Sequence, residues 1–324
     1  MSKVTIGLDI AKSVFHLVFM NQSGRVLRKK KLRRHQMLSY FSQLEPCIVV
    51  MEACGSCHYW CRELTKAGHE VKAIAPQYVV AYRKGNKHDY NDAEAIAEAS
   101  QREGMRFVPF KSQDQQDIQL MHRIRERMIA QQTALSNQIR GLLSDYGIVY
   151  VRGVATLVKE LPLTLEEADN GLSMLARRQF QGLLNDLREL REHIKEMDKE
   201  LKAFSQSQPV CERLMSMTGI GPLIATALYA GIGQGQAFNS GRHLAAWLGV
   251  VPKQHTTGDN PRLLGISKRG NTYLRTQIIN GARAALRHIG DKTDKVSEWC
   301  RACLARMSFN LSLIHISEPT RLLR

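Results

Sequence analysis

The sequence predicts an α/β domain, then a helical coiled-coil region, then a mainly α-helical C-terminal domain. Three observations support this fold class. Short apolar strands alternate with helices over residues 1–110, a long polar helix and a heptad repeat occupy 111–208, and short apolar helices joined by glycine turns fill 209–310. A chain of 324 residues is long enough to bury about two separate cores.

The α/β domain is predicted from its apolar runs. Two hairpins open the chain, because apolar segments flank the turn Asn21–Gly24. The run Cys47–Met51 is typical of a buried central strand, since it contains no charged residue. In chain order, the predicted elements are strands at 4–10, 14–20 and 26–31, a helix at 35–44, a strand at 47–51, a helix at 59–67, a strand at 70–74 and a helix at 91–102.

The middle region is predicted to be helical. Gln113–Tyr146 is polar and has few helix-breaking residues. A heptad rhythm follows, and its spacings of three and four predict a coiled-coil seam that pairs either with the earlier helix or with another subunit. The seam residues are Phe180, Leu183, Leu187, Leu190, Ile194, Met197, Leu201 and Phe204. This feature favours a homo-oligomer, either a dimer or a tetramer.

The C-terminal domain begins with a glycine turn between two short helices. The turn Gly219–Gly221 precedes the apolar helix Leu223–Ala230, which is a helix-hairpin-helix pattern. Glycines and helix N-terminal amides of this kind can approach phosphates closely. The alternative interpretation is a packing joint between two helices with no ligand.

The charge balance indicates a polyanionic partner. Lys and Arg number 46 against 30 Asp and Glu, a net charge of +16. The positive residues are spread along the chain, which predicts a long track for double-stranded DNA; a merely basic protein is the alternative. The candidate nucleic-acid contacts are Lys29, Lys30, Arg123, Arg127, Gly219, Gly221, Lys268, Arg269 and Arg275.

The sequence predicts a cytoplasmic protein with no membrane partner, because it contains no long apolar run or signal-peptide pattern. The seven cysteines are then expected to be reduced. The pairs Cys54/Cys57 and Cys300/Cys303 have a spacing that zinc could use, but buried thiols are the favoured interpretation.

Four carboxylates predict a metal site. Asp9 ends the first strand, and Glu52 directly follows the central strand, so the two converge if these strands are neighbours. Asp89 and Asp92 open a helix and are three residues apart, which predicts that both face one side. Oxygen donors from several elements suit Mg²⁺, and Mg²⁺ supports phosphoryl transfer. The alternative roles are a strand-end turn for Asp9 and helix caps for Asp89 and Asp92.

The motifs around these residues resemble a known family. Gly7–Lys12, Val49–Gly55 and Asn86–Ala93 are similar to the RuvC-like, RNase H-like domain of DEDD transposases of the insertion sequence 110 family, and the style of the later block suggests its 1111 subgroup. The blocks of the second family domain are Phe238–Gly249, Pro252–Gly258 and Leu264–Asn271. The resemblance covers about residues 3–310.

The resemblance implies a site-specific recombinase of an insertion sequence. Asp9, Glu52, Asp89 and Asp92 would be the DEDD quartet. A structured noncoding RNA would pair with donor and target DNA, while the protein reads backbone and shape. A serine of the second domain would form a covalent link to DNA, in a composite site built from two subunits.

The sequence departs from the family at that nucleophile. Thr257 and Thr256 stand where a serine is expected, and a threonine hydroxyl can serve as a nucleophile. Thr257, beside Gly258, is the favoured candidate; a silent loop that only touches phosphate is the alternative. Residues 311–324 are unlike the family and resemble a translated sequencing adapter, so we expect a foreign tail there.

Two other function classes compete with the recombinase. A RuvC-like junction nuclease would hydrolyse DNA with water and need no second-domain nucleophile, which leaves the coiled coil and second domain unexplained. A non-enzymatic DNA-binding module would leave clustered carboxylates beside phosphate, where they repel it unless a metal ion intervenes.

Overall fold

A computed structural model describes residues 4–85, 88–258, 260–290 and 292–309, without the side chains of Asn260 and Pro261. The predicted foreign tail at 311–324 therefore lies outside the described residues. The chain divides into two compact units, Met1–Gln113 and a second unit that begins at Asp114. Over the described ranges, every helix is too short or too polar to cross a lipid bilayer.

A six-stranded mixed sheet forms the first unit. Its strand order is β3-β2-β1-β4-β5-β6, with β1, β4 and β5 parallel and the other neighbours antiparallel. The strands are β1 Thr5–Ile10, β2 Val14–Met20, β3 Val26–Arg33, β4 Ile48–Glu52, β5 Glu70–Ile74 and β6 Phe107–Val108. The helices are α1 Met37–Ser42, α2 Cys57–Lys66, α3 Pro76–Val79 and α4 Asp89–Ser100. The predicted α/β sheet is confirmed; α3 and β6 were not predicted.

Alternation along the strands divides the sheet into two faces. One face, with Leu8, Leu17 and Met51, packs on α1 and α2, where Phe41 and Trp60 are fully buried. The opposite face packs on α4 and α3. Residues i and i+2 of a strand share a face, so the sequence pattern alone assigns each side chain. An α/β/α arrangement results, with the central strands covered on both sides.

Gly7 lets α4 approach the sheet closely. A Cβ atom at this position would overlap the carbonyl oxygen of Ala93 and lie 2.9 Å from the Cβ of Ala97. Because α4 carries Asp89 and Asp92, its close packing on β1 sets the distance of both residues from the ends of the strands.

Three long helices open the second unit: α5 Gln113–Ser144, α6 Val154–Glu166 and α7 Met174–Ser207. At one end, Ile139 shares a core with Leu184; at the other, Ile118 shares one with Leu201, so α5 and α7 run antiparallel. Arg125 donates to Asp198 between them at 2.5 Å. At its two ends, the predicted seam on α7 is therefore buried together with the earlier helix of the same chain, and its middle, at Leu190, Ile194 and Met197, is half-buried.

The predicted pair of short helices is present as α8 Pro209–Met215 and α9 Pro222–Ile232. In the turn between them, Gly219 has a φ of +89° and packs against Gly281. A Cβ atom at Gly219 would lie 2.9 Å from the Gly281 carbonyl oxygen, so the glycine is needed for packing. Gly221, by contrast, is the N-cap of α9 and has open space where a Cβ would be.

The rest of the second unit carries an exposed β-hairpin. Its elements are α10 Gly241–Leu248, β7 Pro252–Thr257, β8 Asn260–Ile266, α11 Thr272–Arg287 and α12 Lys295–Arg306. Strands β7 and β8 pair only with each other, as a two-stranded antiparallel sheet. The sequence prediction assigned no strands to this segment.

Candidate active site

Asp9 and Glu52 lie at the carboxyl ends of neighbouring parallel strands. The register pairs Leu8 with Met51, so Asp9 and Glu52 follow at the same level and on the same face. This is the face that α4 covers, as the position of Gly7 on it shows. The β1–β4 pairing therefore meets the condition that the sequence prediction set, namely that these two strands are neighbours.

Asp89 reaches the same edge from the start of α4. His88 caps this helix, since its Nδ1 accepts a hydrogen bond from the Tyr90 backbone N–H at 3.2 Å. The predicted cap role therefore belongs to His88, and Asp89 is the first helical residue, with its side chain 62% exposed. A carboxylate in the first turn is also stabilised by the positive end of the helix dipole.

His16 is a site residue that the sequence prediction missed. It lies on β2 directly opposite Asp9, and its Nδ1 is 3.3 Å from Oδ2 of Asp89. Ligand atoms of Asp9, His16 and Asp89 all lie within 4.8 Å of one another. Burial lowers the pKa of His16, although the negative charge of Asp89 opposes this shift, so the imidazole is neutral at neutral pH. In the sequence, the spacing of Asp9 and His16 on either side of a short turn was the signal that could have identified His16 as a site residue.

Asp92 makes a different contact from Asp89. Its carboxylate is buried and pairs with the guanidinium of Arg83. Burial of a charged carboxylate is costly unless it is paired, so Arg83 supplies the compensation. The two aspartates therefore share the start of α4, but their side chains have separate partners.

The charges of Asp9 and Glu52 both act on Cys54. Burial raises the pKa of the Cys54 thiol, and the negative charges of Glu52 and Asp9 add to that increase. Cys57 packs instead against Cys61, with 3.7 Å between their sulfur atoms. The Cys54 and Cys57 thiols are both free, but the predicted burial holds for Cys57 and is wrong for Cys54, which is exposed.

The donor set suits a divalent cation. Two carboxylates and a neutral imidazole from three elements converge, and Glu52 is adjacent in register. Hard cations prefer carboxylate oxygens, and imidazole is a common additional ligand for transition metals. Asp9, His16 and Asp89 could hold such an ion directly, with Glu52 completing the set.

Thr256 and Thr257 lie at the end of β7, beside the turn glycine Gly258. Every residue of β7 is exposed. Adjacent residues of an extended strand point to opposite faces, so one surface can engage only one of the two hydroxyls.

The hairpin stands on a tightly packed base. A Cβ at Gly249 would overlap the Arg269 carbonyl oxygen, and a Cβ at Gly270 would overlap that of Trp247. Arg275 is buried, and its guanidinium donates to the carbonyl oxygens of Leu248 at 3.1 Å and Arg269 at 3.0 Å. Arg275 thus connects the end of α10, at Leu248, to the loop between β8 and α11, at Arg269.

The remaining predicted nucleic-acid contacts are placed on the surface. Lys29 forms an ion pair with Glu94 at 3.0 Å, and Lys30 lies 4.3 Å from the ring centre of Tyr40. The other four cations are exposed: Arg123, Arg127, Lys268 and Arg269.

A buried polar joint ties α5 to the base of the hairpin. The His122 ring contacts the Tyr273 hydroxyl at 2.8 Å and the Thr226 hydroxyl at 3.0 Å. Burial lowers the pKa of His122 to about 4 and raises the pKa of Tyr273 to about 12. Both groups are therefore neutral at pH 7.

An RNase H-like sheet with carboxylates at the ends of β1 and β4 defines a metal-dependent enzyme of phosphoryl transfer on nucleic acid. Comparison with known proteins agrees. A DEDD transposase model matches residues 6–148, and the model described as "Transposase IS116/IS110/IS902 family" matches residues 211–297.

Curated relatives match along nearly the whole chain. A "Probable family 20 transposase" of Pseudomonas aeruginosa is 43% identical over 97% of this chain and 93% of its own. The "Transposase for insertion sequence element IS1111A" of Coxiella burnetii is 42% identical over 97% and 86%, respectively. The "Transposase for insertion sequence element IS1328" of Yersinia enterocolitica is 35% identical over 94% and 91%.

The chain belongs to the IS116/IS110/IS902 family of insertion-sequence transposases, close to the IS1111A transposase. It is a DEDD transposase, an enzyme of phosphoryl transfer that binds DNA, and its nuclease domain implies a divalent metal. The predicted family and enzyme class are thereby confirmed.

Proposed function

We propose that this transposase is an RNA-guided, site-specific recombinase that excises its element and inserts it at a target chosen by a structured noncoding RNA. The observation that carries the proposal is the presence, in one chain, of two separate sets of reactive groups. One is the convergent site of Asp9, His16 and Asp89; the other is the exposed hydroxyl pair on β7. A hydrolytic nuclease needs only the first set.

In this proposal Asp9, Glu52, Asp89 and Asp92 would hold the divalent metal of the first set, with Mg²⁺ as the ion that supports the reaction. Mg²⁺ would neutralise phosphate charge and stabilise the charge that develops on the reacting oxygens. In this arrangement Asp9 and Glu52 are held in register by the strands, and Arg83 pairs with the carboxylate of Asp92. Lys31 adds positive charge near His16 on the same side of the sheet.

Thr257 is the nucleophile of the second set, with Thr256 as the alternative. Its Oγ1 bonds to the scissile phosphorus while the bond from phosphorus to a deoxyribose oxygen breaks; the hydroxyl proton passes to a base or to solvent, and the released oxygen takes up a proton. Full exposure of β7 leaves the hydroxyl open to a DNA strand. Gly258, with a φ of +61°, turns the chain back immediately after it.

The reaction needs a composite site and therefore a homo-oligomer, a dimer or a tetramer. In the family's arrangement, one subunit supplies the carboxylates and another supplies the hydroxyl. Five large apolar side chains in the segment 149–175 of the second unit are exposed, and we assign this segment to subunit contact. They are Val149, Val151, Leu163, Met174 and Leu175.

Nucleic acid is bound mainly through its backbone. Arg123, Arg127, Lys268 and Arg269 are exposed cations that can contact phosphates. On β3, Lys29 lies on the α4 face of the sheet with the carboxylate site, whereas Lys30 lies on the opposite face beside Tyr40. In the turn before α9, Gly221 has open space at the helix N-terminus where a phosphate could approach, whereas Gly219 packs against Gly281. Arg275 is omitted from this surface because its guanidinium is engaged inside the chain.

Each of the three regions predicted from the sequence has its own role in this proposal. Residues 1–110 form the catalytic domain, 111–208 the helical spacer and 209–310 the transposase domain, acting on bacterial DNA in the nucleoid.

RNA guidance is tested by sequencing the RNA that co-purifies with the full chain. We expect one structured species whose loops specify donor and target, and joined DNA products only when the DNA matches those loops. Mg²⁺-dependent hydrolysed ends on any branched DNA, without a bound RNA, would instead support the junction nuclease.

The nucleophile is tested by denaturing gels that trap protein–DNA adducts. Thr257→Ala should lose the adduct, Thr257→Ser should retain it, and Thr256→Ala should form it at a reduced or normal level. An adduct that persists in both alanine variants would remove the hairpin from the reaction.

A further inference from the structure

We propose that His16 is a nitrogen ligand of the metal site, and that its imidazole makes this site bind Mn²⁺ in preference to Mg²⁺. This inference rests on the proposed function, because it concerns the same metal site. Neither the DEDD pattern nor the similarity to other transposases assigns a role to His16.

The first argument is distance. The Nδ1 atom of His16 lies 3.3 Å from Oδ2 of Asp89, and the chosen ligand atoms of Asp9, His16 and Asp89 fall within 4.8 Å of one another. Two neighbouring ligands of an octahedral ion, each about 2.1 Å from it, lie about 3 Å apart. The His16–Asp89 pair is therefore already spaced as two adjacent ligands of one ion.

The second argument is an unsatisfied polar atom. The His16 side chain is only 9% exposed. Among the described residues, its Nδ1 has no hydrogen-bond partner and faces the Asp89 carboxylate. A buried nitrogen is costly to leave without a partner. The Nδ1–H tautomer would donate to the Asp89 carboxylate, whereas the tautomer with a lone pair on Nδ1 receives no proton from that carboxylate and can bind a cation. A cation at this point would be within reach of Nδ1, Asp89 and Asp9 together.

The third argument is rigidity. His16 lies within β2, between β1 and β3, and is paired in register with Asp9. The edge of its ring packs on Tyr90, with 4.7 Å between ring centres. Tyr90 follows Asp89 on α4, so one contact fixes the imidazole relative to the carboxylate. A ring held by a central strand is preorganised for coordination.

The chemistry of the donors decides the metal preference. Carboxylates and water suit both Mg²⁺ and Mn²⁺, but an imidazole nitrogen is a softer donor, which Mn²⁺, a transition-metal ion, accepts more readily than Mg²⁺ does. Adding one imidazole to an otherwise acidic site therefore strengthens Mn²⁺ binding more than Mg²⁺ binding. The competing explanation is a positioning role, in which His16 only orients Asp89 and affects both ions equally.

The test uses the full chain without nucleic acid, with Mn²⁺ as the probe. Electron paramagnetic resonance measures free Mn²⁺ in a titration, Mg²⁺ competition gives the affinity ratio, and electron spin echo modulation reports nitrogen bound to Mn²⁺. The variant is His16→Gln, and the matched control is His35→Gln, which alters an exposed histidine of the same unit. Thermal unfolding confirms that both variants fold.

We expect a histidine nitrogen signal in the unaltered chain and in His35→Gln, and its loss in His16→Gln. The Mn²⁺ affinity of His16→Gln should fall about tenfold or more, with a much smaller change for Mg²⁺. Absence of a nitrogen signal in the unaltered chain would overturn the proposal, whatever the variants do. An equal fall for both ions would overturn it in favour of a positioning role.

Asp9→Asn separates this proposal from the function on which it rests. If Asp9→Asn binds Mn²⁺ as tightly as the unaltered chain, the metal site itself is wrong and the proposed reaction fails with it. If Asp9→Asn weakens Mn²⁺ binding but His16→Gln leaves the Mn²⁺/Mg²⁺ ratio unchanged, only the nitrogen ligand is wrong.

Discussion

The two regions that carry reactive groups are built in opposite ways. Asp9 and His16 lie on adjacent strands inside a six-stranded sheet, and Asp89 is held over them by a closely packed helix. Thr256 and Thr257 lie on an exposed two-stranded hairpin, and the rigid packing is confined to its base. The first region is preorganised by its own fold, whereas the second presents its hydroxyls to a surface that must come from elsewhere.

This difference follows from what each group has to do. Metal ligands must converge within a few tenths of an ångström, which strands and helices provide. A hydroxyl that meets a DNA strand must be accessible, which a hairpin tip provides. The packing below each region should therefore respond differently to substitution.

Gly7→Ala should have the largest effect, because the new Cβ would overlap the Ala93 carbonyl oxygen and push α4 off the sheet. We expect a loss of about 3 kcal/mol in unfolding free energy and loss of divalent-metal binding, since Asp89 moves with the helix. Denaturant unfolding and a Mn²⁺ titration measure the two effects. Gly55→Ala is the matched control, because a Cβ there meets nothing within 4 Å. Similar behaviour of both variants would show that α4 is not seated on Gly7.

The polar joint below the hairpin predicts a pH dependence. His122 has a pKa of about 4 in the folded chain, against 6.5 as its ordinary value. The unfolded chain therefore binds a proton that the folded chain does not, and stability is lost as the pH falls from about 6.5 towards 4. We expect this loss to reach about 2–3 kcal/mol at pH 4.

His122→Gln should remove that part of the pH dependence, as measured by urea unfolding at several pH values. His288→Gln, which alters an exposed histidine, is the control. An unchanged pH slope in His122→Gln would mean that His122 is not buried as a neutral ring.

Arg275→Lys should have the smallest effect, about 1–2 kcal/mol in unfolding free energy. A lysine cannot keep the donors to Leu248 and Arg269 together with the contact to the Thr272 hydroxyl. Arg287→Lys, on the exposed surface of the same helix, should be neutral. If Arg275→Lys left the stability unchanged but made DNA binding weaker and less dependent on salt, Arg275 would instead be a residue that contacts nucleic acid.

The sequence predicted the first region more completely than the second for a physical reason. The strands of the sheet have apolar faces, and Asp9 and Glu52 interrupt them at their ends, so pattern and chemistry agree. Strands β7 and β8 bury neither face and show no alternation, so only the turn glycine Gly258 marks the hairpin. Helix α6 was not predicted either, and it contains Pro162, a residue type that normally interrupts a helix.

Contacts between distant segments could not be predicted. In the sequence, His16 is one polar residue in an apolar strand. Only the register between β1 and β2 shows that it lies opposite Asp9. Arg275 reads as one of many cations, because the two carbonyl oxygens it cross-links come from other parts of the chain. The partner of the α7 seam was likewise left open until the Arg125–Asp198 pair placed α5 beside it.

The most direct test of the account is covalent protein–DNA adduct formation by Asp9→Asn, which leaves Thr257 intact. Trapped adducts are digested, and mass spectrometry identifies the linked residue. The account predicts an adduct on Thr257 in the unaltered chain and a loss of at least about a thousandfold in Asp9→Asn, because both regions act in one reaction. An undiminished Thr257 adduct in Asp9→Asn would contradict the account, since the hairpin would then react without the carboxylate site.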